Sequence, residues 1–334
     1  MRQLLSDLAQ TEGIDVHVIE ARAKTVDSFA EKCARPGKTY SNPLQEITDL
    51  CGVRVILYYQ ADVDQFCAAA RKQFAVDDEH SVDKRSELKP DQFGYISVHL
   101  IARLGDNRKS LPEWVIYKEI KFEIQVRTVL QHAWASISHA LQYKSEAETP
   151  RQFVRQLTRV ASLLELADEQ FADVRQKTAT LSSEVETSLS EGRLDLSINS
   201  VTVTQYLETS PLCKKISEAA WASGFGYMEM TPPSQLIEVC DVLGISNISQ
   251  VDAILTKFAP RAKKFFESFA DQESEGGTLD IDDYTGDMDH WCTVAVVSEN
   301  PDERIKRRMA AKGMWGEEYF GHIVDAVKSL RRKK

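Results

Sequence analysis

Three side chains able to do chemistry alternate with apolar residues in the segment DQFGYISVHL, residues 91–100. Tyr95, Ser97 and His99 share one face of the predicted strand, because successive side chains of an extended chain leave opposite faces. The apolar residues between them face a core. An aromatic ring, a hydroxyl and an imidazole in line suit a substrate-binding wall, although a solvated sheet face can show the same alternation.

A second segment, KFEIQVRT at residues 121–128, repeats this arrangement with charged and amide groups. Glu123, Gln125 and Arg127 share one face of the predicted strand, and apolar residues occupy the other. Either strand alone is compatible with a solvated sheet. Together they predict the floor of a site, made of catalytically useful groups.

A basic cluster precedes both strands. The segment 14–35 is predicted to be a helix, on which Lys24, Ser28 and Lys32 share one face with Arg22 at its leading edge. Basic residues and a hydroxyl on one face can hold a polyphosphate through charge-assisted hydrogen bonds. The alternative is an ordinary solvated helix face.

The segment TDLCGVRV places Asp49 where a short helix gives way to a strand, with Gly52 at the turn and Arg54 in the strand. Asp49 and Glu123 therefore lie at or near strand ends of one predicted sheet. This arrangement predicts a Mg²⁺ site, since Mg²⁺ needs few protein carboxylates when phosphates and water complete its coordination. The alternative for Asp49 is a helix cap or a surface ion pair.

The elements that position these residues predict an α/β fold with a mixed sheet flanked by helices. A helix is predicted at 62–74, and helices follow residue 128 to about residue 190. The predicted strands cover 52–59, part of 80–91, 94–104, 113–118 and 121–128. A Ser- and Asn-containing stretch near residue 200 predicts a boundary between a domain at 1–195 and a mostly helical domain at 200–334.

Composition excludes several classes of protein. The formal net charge of −10 disfavours a protein that coats nucleic acid. Six scattered cysteines without a C-x-x-C pair disfavour a zinc site and a disulfide framework. No apolar run approaches the roughly 20 residues of a membrane span, and no signal-peptide core is present, which predicts a cytoplasmic protein without a membrane partner.

Three segments in order, ITDLCGVRVILY, KPDQFGYISVH and EIQVRTVLQHAWASISHALQYK, resemble the synthetase domain of the RelA/SpoT family. The resemblance covers roughly residues 15–180. It implies a five-stranded mixed sheet related to nucleotidyltransferases. It also implies transfer of the β,γ-pyrophosphate of ATP to the ribose 3′-hydroxyl of GDP or GTP, which makes the alarmone (p)ppGpp.

The resemblance assigns roles to individual positions. It implies binding of the ATP phosphates by Arg22, Lys24, Ser28, Lys32 and Arg54. It implies binding of the acceptor by Lys89, Tyr95, Ser97, His99, Gln125 and Arg127, with Tyr95 stacked on the acceptor base. Catalytic and Mg²⁺-binding roles fall to Asp49 and Glu123.

Departures from the family pattern leave alternatives open. Phe93 stands where the family commonly has Asn, so a guanine acceptor does not follow directly. The same chemistry on the 3′ end of tRNA would make a translation-blocking toxin or phage-defence effector, with an antitoxin or regulatory protein as partner. A synthetase fold kept only for nucleotide binding or protein interaction is a further alternative. No metal set of the family's hydrolase domain is found, so product hydrolysis is not expected, and an oligomer is compatible with the sequence.

Overall fold

The computed structural model describes residues 1–35, 37, 39–87, 97–142, 151–275 and 285–332. Its first sheet has the strand order β1-β2-β5-β4-β3. The β2 and β5 strands are parallel, whereas the β1–β2, β5–β4 and β4–β3 pairs are antiparallel. The five strands are β1 (Val16–Ala23), β2 (Cys51–Leu57), β3 (Phe74–Asp83), β4 (Val98–Leu104) and β5 (Phe122–Thr128). The predicted mixed α/β fold is confirmed.

The two faces of this sheet differ in polarity, as the alternation in the sequence predicts. The apolar face packs on α1 (Arg2–Thr11) and α4 (Gln60–Gln73), whose Leu5 and Phe66 are fully buried. The opposite face carries the polar residues of β1, β2, β4 and β5. The remaining helices of this region are α2 (Val26–Cys33), α3 (Pro43–Glu46), α5 (Lys84–Glu87), α6 (Asp106–Lys109), α7 (Val129–Gln142) and α8 (Arg151–Ser190).

Two predicted elements are wrong. The segment 14–35 is not one helix, because residues 16–23 form β1, which pairs with β2 along its length, and α2 begins only at Val26. Pairing with a neighbouring strand outweighs the helix preference of the Ala, Glu and Arg residues in this segment. The predicted strand at 113–118 is a 3₁₀ turn at Val115–Tyr117, whose apolar side chains are exposed and are not paired into the sheet.

The chain divides into two compact units, Met1–Arg175 and Gln176–Lys334, and the division falls inside α8. The predicted boundary near residue 200 stays a prediction. As predicted, the second unit is mostly helical, with one short parallel pair of strands, β6 (Gly226–Tyr227) and β7 (Thr285–Gly286). Its helices are α9 (Ser200–Thr209), α10 (Pro211–Trp221), α11 (Gln235–Leu243), α12 (Ile248–Phe258), α13 (Ala262–Glu275), α14 (Met288–Glu299), α15 (Glu303–Ala311) and α16 (Glu317–Arg332).

The second unit has its own core, dominated by aromatic rings. Phe225 stacks on Phe269 and lies against Trp291, and Phe266 meets Trp291 edge to face. Aromatic clusters of this kind bury large apolar areas and favour offset or edge-on contacts. Among the helices that the structure describes, none combines the length and the apolar character needed to cross a membrane.

Candidate active site

Two carboxylates meet at one edge of the sheet because of how β2 and β5 pair. Asp49 lies two residues before β2, and Glu123 is the second residue of β5. The strands are parallel and Gly52 is the partner of Glu123, so both carboxylates lie where the strands begin. Arg22 of β1 is the partner of Gly52 on its other side and is brought to the same edge.

Asp49 is held by two lysines. Lys24 Nζ lies 2.9 Å from one carboxylate oxygen, and Lys32 Nζ donates to the other over 2.8 Å. Burial alone would raise the pKa of Asp49, but the hydrogen bonds from Lys32 and Lys24 hold it below its ordinary value. Asp49 is therefore ionised at neutral pH, with its charge balanced by the two ammonium groups.

Glu123 is held by one imidazole and one amide. His99 Nδ1 lies 2.7 Å from Glu123 Oε1, and Gln125 Nε2 donates to Oε2 over 3.0 Å. Burial would raise the pKa of Glu123, whereas the contact with His99 and the bond from Gln125 lower it, and the net effect is a lowered pKa. On its far side, His99 Nε2 contacts the hydroxyl of Ser97 at 2.7 Å, and Ser97 is buried.

Gln125 connects the carboxylate to two guanidinium groups. Its Oε1 accepts from Arg54 Nε at 3.4 Å and from the terminal nitrogen of Arg127 at 3.2 Å. Arg54 also lies 3.6 Å from a carboxylate oxygen of Glu20 on β1. The amide can serve both sides because it carries a donor and an acceptor.

Two neighbouring cavities open on this polar face, and both are lined by Arg22, Arg54 and Gln125. The smaller, of about 290 Å³, is acidic, and it is also lined by Glu20, Ala21, Asp49, Gly52, Val53 and Glu123. The larger, of about 540 Å³, is basic, and it is also lined by Arg127, His132, Trp134, Ala135, Ser136, Ser138 and His139. Volumes of this size suit a nucleotide-sized ligand.

The α7 residues on this surface were not among the predicted site residues, apart from His132, which the family resemblance places in the helix after β5. Residues 132, 135, 136 and 139 follow the i, i+3, i+4, i+7 spacing of one helix face, and this spacing was the available signal. Burial and the nearby charge of Arg127 lower the pKa of His132, so its imidazole is neutral at pH 7. In the part of the chain that the structure describes, His132 Nδ1 has no hydrogen-bond partner.

Most of the predicted site residues lie close together, but some belong to a different element from the predicted one. Arg22 belongs to β1, and Lys24 lies between β1 and α2. The prediction that Lys24, Ser28 and Lys32 share one helical face is therefore wrong. Lys24 and Lys32 meet instead at Asp49. Ser28 is exposed in the first turn of α2, where it bonds to the capping residue Thr25, and it lines neither cavity.

Two predicted acceptor residues lie outside the described residues, namely Lys89 and Tyr95. The other predicted residues all take part in the contacts or cavities described above: Arg22, Lys24, Lys32, Asp49, Arg54, Ser97, His99, Glu123, Gln125 and Arg127. Within the described ranges, no three His, Cys, Asp or Glu side chains come together as a ready-made metal cluster.

Comparison with known proteins gives the family. Residues 21–148 match the model of the region found in RelA / SpoT proteins. The chain is 30% identical over 166 residues to GTP pyrophosphokinase YjbM of Bacillus subtilis, covering 48% of this chain and 72% of that protein. The chain belongs to the RelA/SpoT family. GTP pyrophosphokinase YwaC of the same organism is 27% identical over 161 residues, covering 47% of this chain and 73% of YwaC.

The RelA/SpoT region includes both carboxylates and every lining residue from Arg22 to His139. A solved structure similar to this chain is that of small alarmone synthetase 2 from Bacillus subtilis, with 26% identity and a TM-score of 0.43. That match covers 52% of this chain and 90% of the solved chain. The second unit, from Gln176 onward, lies outside the matched RelA/SpoT region.

Proposed function

We propose that this chain is a Mg²⁺-dependent pyrophosphokinase that transfers the β,γ-pyrophosphate of ATP to the ribose 3′-hydroxyl of GDP or GTP, making (p)ppGpp. The observation that carries the proposal is an ionised, oriented Glu123 that lines the acidic cavity beside the basic one, in a RelA/SpoT region. The names of YjbM and YwaC, both GTP pyrophosphokinases, support the same reaction.

The basic cavity suits the donor. Arg22, Arg54 and Arg127 line it, and guanidinium groups form paired, charge-assisted hydrogen bonds with phosphate oxygens. Pyrophosphoryl transfer asks the protein mainly for alignment and for stabilisation of charge on the transferred group. We assign both tasks to these arginines, together with Lys24 and Lys32 beside Asp49.

Glu123 is the group we assign to the attacking hydroxyl. In the reaction, the 3′-oxygen forms a bond to the β-phosphorus, the bond from that phosphorus to the oxygen bridging it to the α-phosphate breaks, and AMP leaves. The hydroxyl proton goes to the carboxylate. Because the pKa of Glu123 is lowered, it is in its base form at neutral pH, and His99 and Gln125 fix its orientation.

The carboxylates also fit a Mg²⁺ ion. Mg²⁺ takes oxygen ligands, and one or two protein carboxylates suffice when substrate phosphates and water supply the rest. Asp49 and Glu123 line the same cavity, and the pKa of each is lowered, so both are ionised. When bound there, Mg²⁺ would neutralise phosphate charge on the donor.

The experiment offers GDP, GTP, ATP and bulk tRNA in parallel to the purified protein with Mg²⁺ and ATP labelled on the γ-phosphate. We expect label on GDP or GTP. Label on tRNA alone would favour the tRNA-modifying toxin, and ATP binding without any transfer would favour an inactive nucleotide-binding module. Incubation with labelled ppGpp tests the separate expectation that the chain does not hydrolyse its product.

Substitution of the assigned base is the control for this experiment. Glu123→Gln removes the charge and keeps the shape, so we expect transfer to fall by about 10²-fold or more, the usual contribution of a general base. Glu79→Gln, the same substitution at an exposed position of β3, is the matched comparison. Circular dichroism checks that both variants fold. Transfer by Glu123→Gln near the unmodified rate would contradict the assigned role.

A further inference from the structure

Two side chains of β4 and its approach form a chain of hydrogen bonds with Glu123. His99 Nδ1 lies 2.7 Å from Glu123 Oε1, and His99 Nε2 lies 2.7 Å from Ser97 Oγ. Glu123 lines the acidic cavity, whereas neither Ser97 nor His99 lines either of the two cavities described above. Both ring nitrogens of His99 therefore contact protein groups, and Ser97 reaches Glu123 only through the imidazole.

The direction of these hydrogen bonds follows from the chemistry of the three groups. A carboxylate oxygen only accepts, so Nδ1 of His99 carries the proton of the first bond. A hydroxyl can both donate and accept, so Ser97 can complete the second bond whether or not Nε2 carries a proton. The imidazole is thus bonded at both nitrogens, which fixes the plane of its ring and points the Nδ1–H bond at Glu123.

Ser97 is a fixed anchor for this chain of hydrogen bonds. The residue is only 1% exposed, and its carbonyl oxygen accepts from the backbone nitrogen of Lys84 at 3.0 Å. The next residue, Val98, begins β4 and is paired with Asp83 on one side and Val126 on the other. Burial strengthens the bond from the hydroxyl to the imidazole, because the local dielectric is low and water does not compete for it.

The orientation of Glu123 decides whether it can act as a base. A carboxylate has about four acceptor positions, and the contacts with His99 and Gln125 use one on each oxygen. The other positions can take the proton of the acceptor hydroxyl or a metal ion. A base must lie within hydrogen-bond reach of the proton that it accepts, about 2.6–3.2 Å between heavy atoms. An imidazole that is free to turn would hold the carboxylate in this position less often.

We propose that Ser97 is a positioning residue for pyrophosphate transfer, which acts through His99 on Glu123, rather than a contact of the acceptor. The proposal rests on the proposed function, because it takes Glu123 as the base. It differs from the acceptor-binding role that the family resemblance implies for Ser97. The difference is measurable, since loss of a positioning residue lowers kcat, whereas loss of an acceptor contact raises KM for the acceptor.

The first test compares two serine substitutions in the same sheet. Ser97→Ala removes the hydroxyl that holds His99. Ser81→Ala removes a hydroxyl of β3 that bonds to the backbone of Asp77 and Ile101, and it serves as the matched control. In steady-state transfer from ATP to GDP and to GTP, Ser97→Ala should lower kcat about five- to tenfold, the effect of one lost hydrogen bond. KM for ATP and for each acceptor, and kcat of Ser81→Ala, should stay within about twofold of the unmodified values.

The second test asks whether Ser97 acts through its two neighbours. In a His99→Ala background the hydroxyl has no imidazole to hold, so adding Ser97→Ala should lower kcat by less than about twofold. In a Glu123→Gln background the proposed base is absent, and adding Ser97→Ala should again lower kcat by less than about twofold. A residue that acts independently would show its full loss in every background. Circular dichroism checks that each variant folds.

A measurement without turnover separates this proposal from the proposed function. The chain has seven histidines, and His99→Ala identifies the ring resonances of His99 in a spectrum of protein labelled with nitrogen-15 at histidine. Ser97→Ala should shift the Nε2 resonance of His99, which loses its hydroxyl partner, and Ser81→Ala should not. This shift in a chain that transfers pyrophosphate to no acceptor would overturn the proposed function, and with it the role of Ser97 in transfer, while the contact itself stands.

Three results would overturn the proposal while transfer by the unmodified chain is intact. One is a Ser97→Ala protein with an unchanged kcat, including one whose KM for GDP or GTP is raised, which would make Ser97 an acceptor contact. Another is an equal loss of kcat in Ser97→Ala and Ser81→Ala, which would leave only a structural role. The third is a loss that persists undiminished in the His99→Ala and Glu123→Gln backgrounds.

Discussion

At the scale of single residues, the site depends on the amide of Gln125. Its nitrogen donates to Glu123, and its oxygen accepts from Arg54 and Arg127. A carboxylate at this position could accept from the arginines but could not donate to Glu123, and a hydrocarbon could do neither. Gln125 therefore couples the orientation of Glu123, the proposed base, to that of the arginines that line the proposed donor cavity.

We expect Gln125→Glu to move the pH dependence of transfer. A second carboxylate beside Glu123 disfavours ionisation of both, so the pKa of Glu123 rises from its lowered value. Because only the ionised form accepts a proton, the acidic limb of the kcat/KM profile should move to higher pH, by on the order of one unit.

The measurement is the kcat/KM profile of pyrophosphate transfer against pH, with Gln10→Glu, an exposed position in α1, as the matched control. An unmoved acidic limb in a folded Gln125→Glu protein would mean that another group controls activity in that pH range. A loss of activity that is the same at every pH would assign Gln125 to substrate positioning instead.

At the scale of elements, the sequence predicts which residues share a face when the residue pattern lies within a single strand or helix. The alternation in β5 is visible within that strand alone, so the shared sheet face of Glu123, Gln125 and Arg127 could be predicted from the sequence. The face of α7 that lines the larger cavity has the same kind of local signal, in its helical spacing.

Contacts between distant segments could not be predicted in this way. The pairing of β1 with β2 joins residues 28 to 41 positions apart, and no pattern within residues 14–35 predicts it. The segment contains good helix formers, so the local preference indicated one helix. As a result, Arg22, Lys24 and Lys32 were predicted to bind phosphate together, while the clamp of the two lysines on Asp49 was not foreseen.

Three helices of the second unit, α11, α14 and α16, are joined at one histidine. His290 Nδ1 lies 3.0 Å from Gln235 Oε1, and its Nε2 lies 2.6 Å from the Tyr319 hydroxyl. Gln235 Oε1 also accepts from Trp315 Nε1 at 2.8 Å. The oxygen can only accept, so Nδ1 carries the proton and Nε2 accepts from the tyrosine, which describes a neutral imidazole.

This contact predicts that the second unit loses stability in mild acid. Burial lowers the pKa of His290 to about 4, against an ordinary value of 6.5. Between these two values, the unfolded chain binds a proton that the folded chain does not. The folding free energy contributed by the neutral histidine is therefore complete above about pH 6.5 and is lost as the pH falls towards 4. The loss should be about 1–2 kcal/mol by pH 5.

Differential scanning calorimetry at pH 7 and pH 5 measures this loss. His290→Gln keeps a donor and an acceptor but cannot be protonated, so its transition should move less between the two pH values than that of the unmodified chain. His80→Gln changes an exposed histidine of the first unit and serves as the control. An equal acid shift in His290→Gln and in the unmodified protein would contradict the assignment.

At the scale of the whole molecule, each unit has a core of its own, and all the described site residues belong to the first. The lining residues run from Glu20 to His139 and the clamping lysines lie at 24 and 32, whereas the second core is built from residues 203–327. Within the described residues, the carboxylates, arginines and cavities of the proposed site therefore all come from the first unit.

A chain ended after Glu184 should consequently bind ATP almost as well as the full chain. It keeps the whole first unit and stops before Leu189, which packs on the second core. We expect the Kd of a non-hydrolysable ATP analogue, measured by isothermal titration calorimetry, to stay within about threefold of the full-chain value, a change of less than about 0.7 kcal/mol.

The same fragment also needs a variant in which ATP binding is weakened. The Arg54→Met fragment serves as the control for weakened ATP binding, because it loses a guanidinium shared by the two cavities. A well-folded fragment that binds no ATP would show that the second unit contributes to the site, and the activity would then be a property of the two units together.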